Sequence, residues 1–186
     1  GKSHEGFCYP KLSVNLFTIP KKTIVYFDSK DINYPSHLIY KSEYEDLSIT
    51  NKNNIEFDLL IGSSPNMSKL TEYIISLFKN SNIRLALKLH PVESLFQLDK
   101  NIADKVKVFD GKYNFSKVAM KSLIYIPVSQ HSTTVFDAYK CNCEIIIFNP
   151  LGRKFTNIPD SVKPIYCYSS HTLYSLVTNI IKFHSP

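Results

Sequence analysis

The chain has 186 residues, 44% of them hydrophobic and 20% charged, which is enough for one full hydrophobic core and excludes the disordered, collagenous and disulfide-scaffold classes. Its formal charge of +6 reflects 22 Lys and Arg against 16 Asp and Glu. The lysines are scattered, with Lys21-Lys22 the only adjacent lysines, and no basic run is interleaved with aromatics, so the charge reads as solvated surface and nucleic acid is not expected as a partner.

Residues 1 to 20 carry two prolines and no clean period, and read as loop with a short strand at Leu12 to Phe17. Gly1-Lys2-Ser3 is not a phosphate loop, since no strand and glycine-rich turn precede it. Lys22 to Phe27 has the β-branched and aromatic content of a strand, and His37 to Lys41 a second short one. The polar stretch from Lys41 to Asn54 reads as exposed, and its Glu43, Glu45 and Asp46 lack the Asp-x-Asp spacing that often holds a divalent metal.

From residue 56 the pattern becomes alternating strand and helix. Phe57 to Ile61 is a strand running into the small-residue turn Gly62 to Asn66. Ser68 is expected to cap a helix reaching Lys79, with Leu70, Ile74, Leu77 and Phe78 on its buried face. Arg84 to Leu89 is the next strand, and Pro91 suits the first helical position after it. Val106 to Phe109, Leu123 to Val128, Glu144 to Phe148 and Pro164 to Tyr168 read as further strands, separated by helices at Phe115 to Met120 and Ser132 to Cys141 and followed by one at Ser170 to Phe183. Repeated strand-helix units imply an α/β fold, a Rossmann-like parallel sheet with helices on both faces. The whole chain is expected to form a single domain, 1–186, with a loop-rich part at 1–55 whose strands could join the same sheet as the 56–186 core.

Cys8, Cys141, Cys143 and Cys167 show neither Cys-x-x-Cys pairs nor zinc spacing, so they read as reduced structural thiols, and no metal or other cofactor is expected. The absence of an 18-residue apolar run and of a leader-like N-terminal segment makes the cytoplasm the expected compartment.

Two strand ends concentrate groups suited to binding phosphate. Open α/β sheets hold ligands at the carboxyl ends of their strands, where hydroxyls and backbone N–H groups converge. The segment RLALKLHP, 84–91, delivers His90 to such an edge, because Leu85, Leu87 and Leu89 face the other way. An imidazole there donates to phosphate oxygens and stabilises a phosphate leaving group. The strand at 123–128 is followed by His131 and three hydroxyls, Ser132, Thr133 and Thr134, one of which would otherwise simply cap a helix. Asp137 lies one turn on, where its carboxylate would either accept from ribose hydroxyls or stabilise the helix start.

The Lys-Leu-His-Pro segment, the later Ser-x-x-Ser-Thr-Thr-x-Phe-Asp-Ala cluster and the strand ending in Asn149-Pro150 together resemble the donor-binding lobe of bacterial GT-B-type glycosyltransferases that use CMP-activated sugars, the sialyltransferases and polysialyltransferases of capsule and lipooligosaccharide synthesis. The resemblance covers about residues 56 to 150 at motif level. It implies a single C-terminal lobe of a two-lobed, inverting, metal-independent enzyme with a CMP-sugar donor and a glycan acceptor, cytoplasmic and associating peripherally with the inner membrane. Carried to this chain, it implies that His90 contacts the CMP phosphate and assists its departure, that Pro91 shapes the turn, and that Ser132 and Thr133 bind the same phosphate. Glu5-Gly6 matches the end of an acidic-glycine motif whose carboxylate is the general base, with His4 where the family has a second acid. Expected catalytic residues are thus Glu5 and His90, and expected nucleotide-binding residues Gly62, Ser63, Lys88, Pro91, Ser132, Thr133, Thr134 and Asp137. Transferases of Kdo and of CDP-linked alditols resemble the same pattern, and a non-catalytic nucleotide-binding domain of this fold is the alternative of a different class.

Overall fold

The computed structural model describes the backbone of residues 15–18 and 24–27, and residues 54–93, 100–156 and 158–185. Strands β1 (Asn15–Thr18) and β2 (Ile24–Phe27) pair antiparallel with each other. They form their own two-stranded sheet and, among the described residues, do not pair with the main one. The expected strand at 37–41 and Glu5 lie outside the described residues.

The main sheet has six strands: β3 (Phe57–Gly62), β4 (Leu85–Lys88), β5 (Val106–Phe109), β6 (Ser122–Pro127), β7 (Glu144–Phe148) and β8 (Ile165–Cys167). All its pairings are parallel, in the order β5-β4-β3-β6-β7-β8. These strands form because they are nearly continuous apolar runs, the signature of a sheet buried on both faces. Leu59, Leu60 and Ile61 are wholly buried, and every residue of β6 is buried.

Alternation along the strands divides the core in two. Leu59, Ile61, Leu87, Ile124, Ile126 and Ile146 pack against α1 (Ser68–Phe78), α2 (Lys100–Ala103) and α5 (Ser170–His184). Leu60, Ala86, Tyr125, Ile145 and Ile147 pack against α3 (Phe115–Ala119) and α4 (Thr134–Lys140) on the other face. The architecture is a Rossmann-like α/β fold.

Helix ends account for most differences from the expected boundaries. Pro65–Met67 form a 3-10 turn that runs straight into α1, so Ser68 is the first helical residue and no side chain caps this helix. Pro91 does not open a helix directly: Glu93 N–H donates to the His90 carbonyl at 2.8 Å, making His90–Glu93 a tight turn. Likewise α4 begins at Thr134 and not at Ser132. It closes on Asn142 at φ 60°, with Asn142 N–H bonded to Tyr139 O and Cys143 N–H to Ala138 O, the paired bonds of a Schellman ending, in which Asn tolerates the left-handed position. True side-chain caps occur at Asn114, which accepts from Lys117 N–H at 3.2 Å, and Ser169, which accepts from Thr172 N–H at 3.1 Å.

Candidate functional site

The chain builds β3, β4 and β5 outward on one side, then returns to the other side of β3 to lay down β6, β7 and β8. The crossovers leaving β3 and β6 therefore diverge and open a crevice beyond their carboxyl ends. A cleft of about 290 Å³ lies there, lined by residues 62–63, 88–91, 111, 113, 115, 125, 129 and 131–134.

Its floor is a chain of hydroxyls. Tyr125, 1% exposed in the middle of β6, has its ring edge-on to Phe115 with centroids 5.1 Å apart. The phenol oxygen lies 2.6 Å from Thr134 Oγ1, which in turn lies 2.6 Å from Ser132 Oγ. The oxygens of Tyr125, Thr134 and Ser132 thus form one hydrogen-bonded run along the floor, in which each hydroxyl can both donate and accept. Gly62 makes this floor possible: a Cβ on Gly62 would collide with the Tyr125 hydroxyl, so only glycine admits the phenol beneath β3.

Complete burial pushes the Tyr125 phenol up from 10.0 to about 12, against the opposing pull of its bonds to Thr134 and Ser132. A phenol whose ionisation is raised by folding contributes stability in full below its unfolded value and loses it as pH climbs from about 10 to about 12. Alkaline absorbance titration of the parent minus Tyr125→Phe is expected to isolate one tyrosine ionising near pH 12, with the variant losing less stability across that window. A difference spectrum titrating near pH 10 would show the phenol to be in contact with water.

The opposite wall is the His90–Glu93 turn. Glu93 Oε2 accepts from the His90 N–H at 2.8 Å and from the Ser63 hydroxyl, and Ser63 Oγ itself accepts from the His90 N–H at 3.0 Å. His90 Nδ1 accepts from Val92 N–H at 3.3 Å, which leaves the proton of the neutral ring on Nε2 as a donor. Gly111 lets the neighbouring loop approach, since a Cβ there would press on the His90 carbonyl and Pro91. Lys88, 6% exposed, donates to Leu89 O at 2.8 Å and Gly111 O at 2.9 Å. Burial lowers its pKa, partly offset by Asp110 and Glu93.

Of the expected residues, Gly62, Ser63, Lys88, His90, Pro91, Ser132, Thr133 and Thr134 all line this one cleft. Their parts in it differ from expectation. Ser63's proton is committed to Glu93, Lys88's ammonium is engaged by two carbonyls, and Thr133 is exposed without capping α4. Asp137 sits exposed on α4 and does not line the cleft. Residues not anticipated are Glu93, Tyr125, Gly111 and the half-exposed ring of Tyr113, which leans on Phe109 at 5.0 Å between centroids. The Pro after His90 followed by an acid was a turn signal for Glu93, whereas Tyr125 read as one more core aromatic. His131, beside the hydroxyls, is tied through Nδ1 to Thr156 Oγ1.

Fold and cleft together define a Rossmann-like α/β protein with a crevice at the reversal of strand order. Comparison with protein-family models, with curated proteins and with solved structures finds no match. No helix among the described residues is long and apolar enough to cross a membrane.

Proposed function

We propose that this chain is the donor-binding lobe of a glycosyltransferase that takes its sugar from a CMP-activated donor, sialyltransferase-like in its motifs, with a glycan as acceptor. The observation that carries this reading is the pairing of His90 with the Ser132-Thr134-Tyr125 hydroxyl chain across one cleft at the strand-order reversal. That pairing suits a phosphate, with hydroxyls and an imidazole N–H donating to its oxygens. A volume of about 290 Å³ is at the small end for small-molecule sites and favours one nucleoside monophosphate over an extended dinucleotide. Tyr113 offers an exposed aromatic face for the base.

In the proposed reaction a base removes the acceptor hydroxyl's proton and the resulting oxygen attacks the anomeric carbon, inverting it. The bond from that carbon to the CMP phosphate oxygen breaks, and its electron pair leaves with CMP. His90 and the hydroxyls of the floor stabilise the charge gathering on the phosphate. Glu93 is not the base in this scheme, because its carboxylate already holds Ser63 and the His90 backbone. The resemblance assigns that role to Glu5.

Isothermal titration with CMP, CDP, UMP and UDP, with and without magnesium, tests the reading. Preferential CMP binding that needs no magnesium is expected. His90→Ala is expected to weaken it by about tenfold or more, the scale of one charge-assisted hydrogen bond, with little change in unfolding midpoint. Binding of none of the four, or unchanged CMP affinity in His90→Ala, would sink the proposal.

A further inference from the structure

Arg153 carries an anomaly that the cleft does not explain. Its Nε and Nη2 are buried out of contact with solvent and meet no acceptor among the described residues, while Nη1 donates to Val128 O at 3.1 Å. Buried polar groups are nearly always paired, and a buried guanidinium without a counter-charge is costly. Burial alone acts on its ionisation, lowering it.

The two idle nitrogens are the side-on edge of the guanidinium fork, the edge that grips two oxygens of one anion in parallel. This structure contains that grip in occupied form: Arg84 Nε donates to Asp58 Oδ2 at 3.1 Å and Arg84 Nη2 to Asp58 Oδ1 at 2.6 Å. Arg153 presents the same edge, held in place. Its backbone is clamped from both sides by Asn149, whose Nδ2 donates to Arg153 O at 2.7 Å and whose Oδ1 accepts from Arg153 N–H at 2.8 Å. Phe155 lies against the guanidinium at 5.3 Å. The segment is joined to the cleft wall by Thr156 N–H to Gln130 O at 2.9 Å and by the His131–Thr156 bond.

We infer that the Nε/Nη2 edge of Arg153 is a second anion site, beside the nucleotide cleft and separate from its hydroxyl floor, which binds a two-oxygen anion of a small ligand, a phosphate or a carboxylate. Because both nitrogens are buried, an anion reaches this edge only if the surrounding chain shifts. The inference does not depend on which ligand fills the cleft.

The test starts from the chain carrying Ser132→Ala and Thr134→Val, which removes two of the cleft's hydroxyls, and follows its thermal unfolding midpoint against inorganic phosphate and, separately, acetate, at ionic strength held constant with chloride. A saturable rise with at least one anion is expected, and the anion that produces it tells phosphate from carboxylate. Adding Arg153→Lys, which keeps the charge and loses the fork, is expected to raise the half-saturating concentration about tenfold or more. Should that variant not fold, Arg153→Met carries the same comparison, its midpoint expected to be insensitive to either anion. No rise with either anion, or an undiminished response in the Arg153 variants, overturns the inference.

Discussion

Gly62→Ala is expected to lower stability by about 1–3 kcal/mol, the range for forcing extra volume into a packed interior, and to disturb the cleft floor at the same time. The added methyl would collide with the Tyr125 hydroxyl, which could escape only by shifting toward the cleft and straining its bond to Thr134. It is 1% exposed, flanked by the Phe115 ring and tied to Thr134. Urea unfolding measures the loss. A second substitution tells this collision from generic strand damage: in a Tyr125→Phe background, where the offending oxygen is gone, Gly62→Ala should cost less by about 1 kcal/mol, a coupling typical of residues in contact. Equal costs in both backgrounds would mean that Gly62 is required for some other reason.

Lys88→Ala is expected to cost about 2–4 kcal/mol, combining the cavity left by a buried side chain with two buried carbonyls deprived of their donor. Those carbonyls, Leu89 O and Gly111 O, belong to the end of β4 and to the loop after β5, so one ammonium ties together two sides of the cleft. Lys88→Met keeps most of the volume and should recover the cavity part alone. If Lys88 is a strut, the unfolding midpoint falls in both variants while the folded protein's affinity for CMP changes little at low temperature. An affinity that collapses with stability intact would instead make Lys88 a direct ligand contact.

The strands from β3 to β8 were legible because each is a short apolar run between polar turns, and a sheet buried on both faces needs nothing subtler. The crevice was legible for a related reason. His90 and the Ser132-Thr134 run each follow a strand, and parallel strands bring their carboxyl ends to one edge. Helix starts were not legible at hydroxyls: Ser68 and Ser132 have capping chemistry, but Pro65 had already begun a turn that feeds α1, and Ser132 bonds to Thr134 Oγ1 instead of the backbone of α4. Local composition also could not show what a group's neighbours would claim. Ser63 looked free to hold phosphate until Glu93, 30 residues away, took its proton. Lys88 looked available until the carbonyl of Gly111, 23 residues on, reached its ammonium. Asp137 had the right spacing, but α4 turns it to the solvent.

The order of the main sheet leaves β5 and β8 at its two margins, four and three residues long. An open margin is where a strand from another molecule can add itself, and long flat ones seed fibrils. Here each offers too few free backbone groups to hold a guest strand, and β5 also presents the exposed ammonium of Lys107 to any newcomer. Self-association through main-chain pairing along the six-stranded sheet is thereby disfavoured.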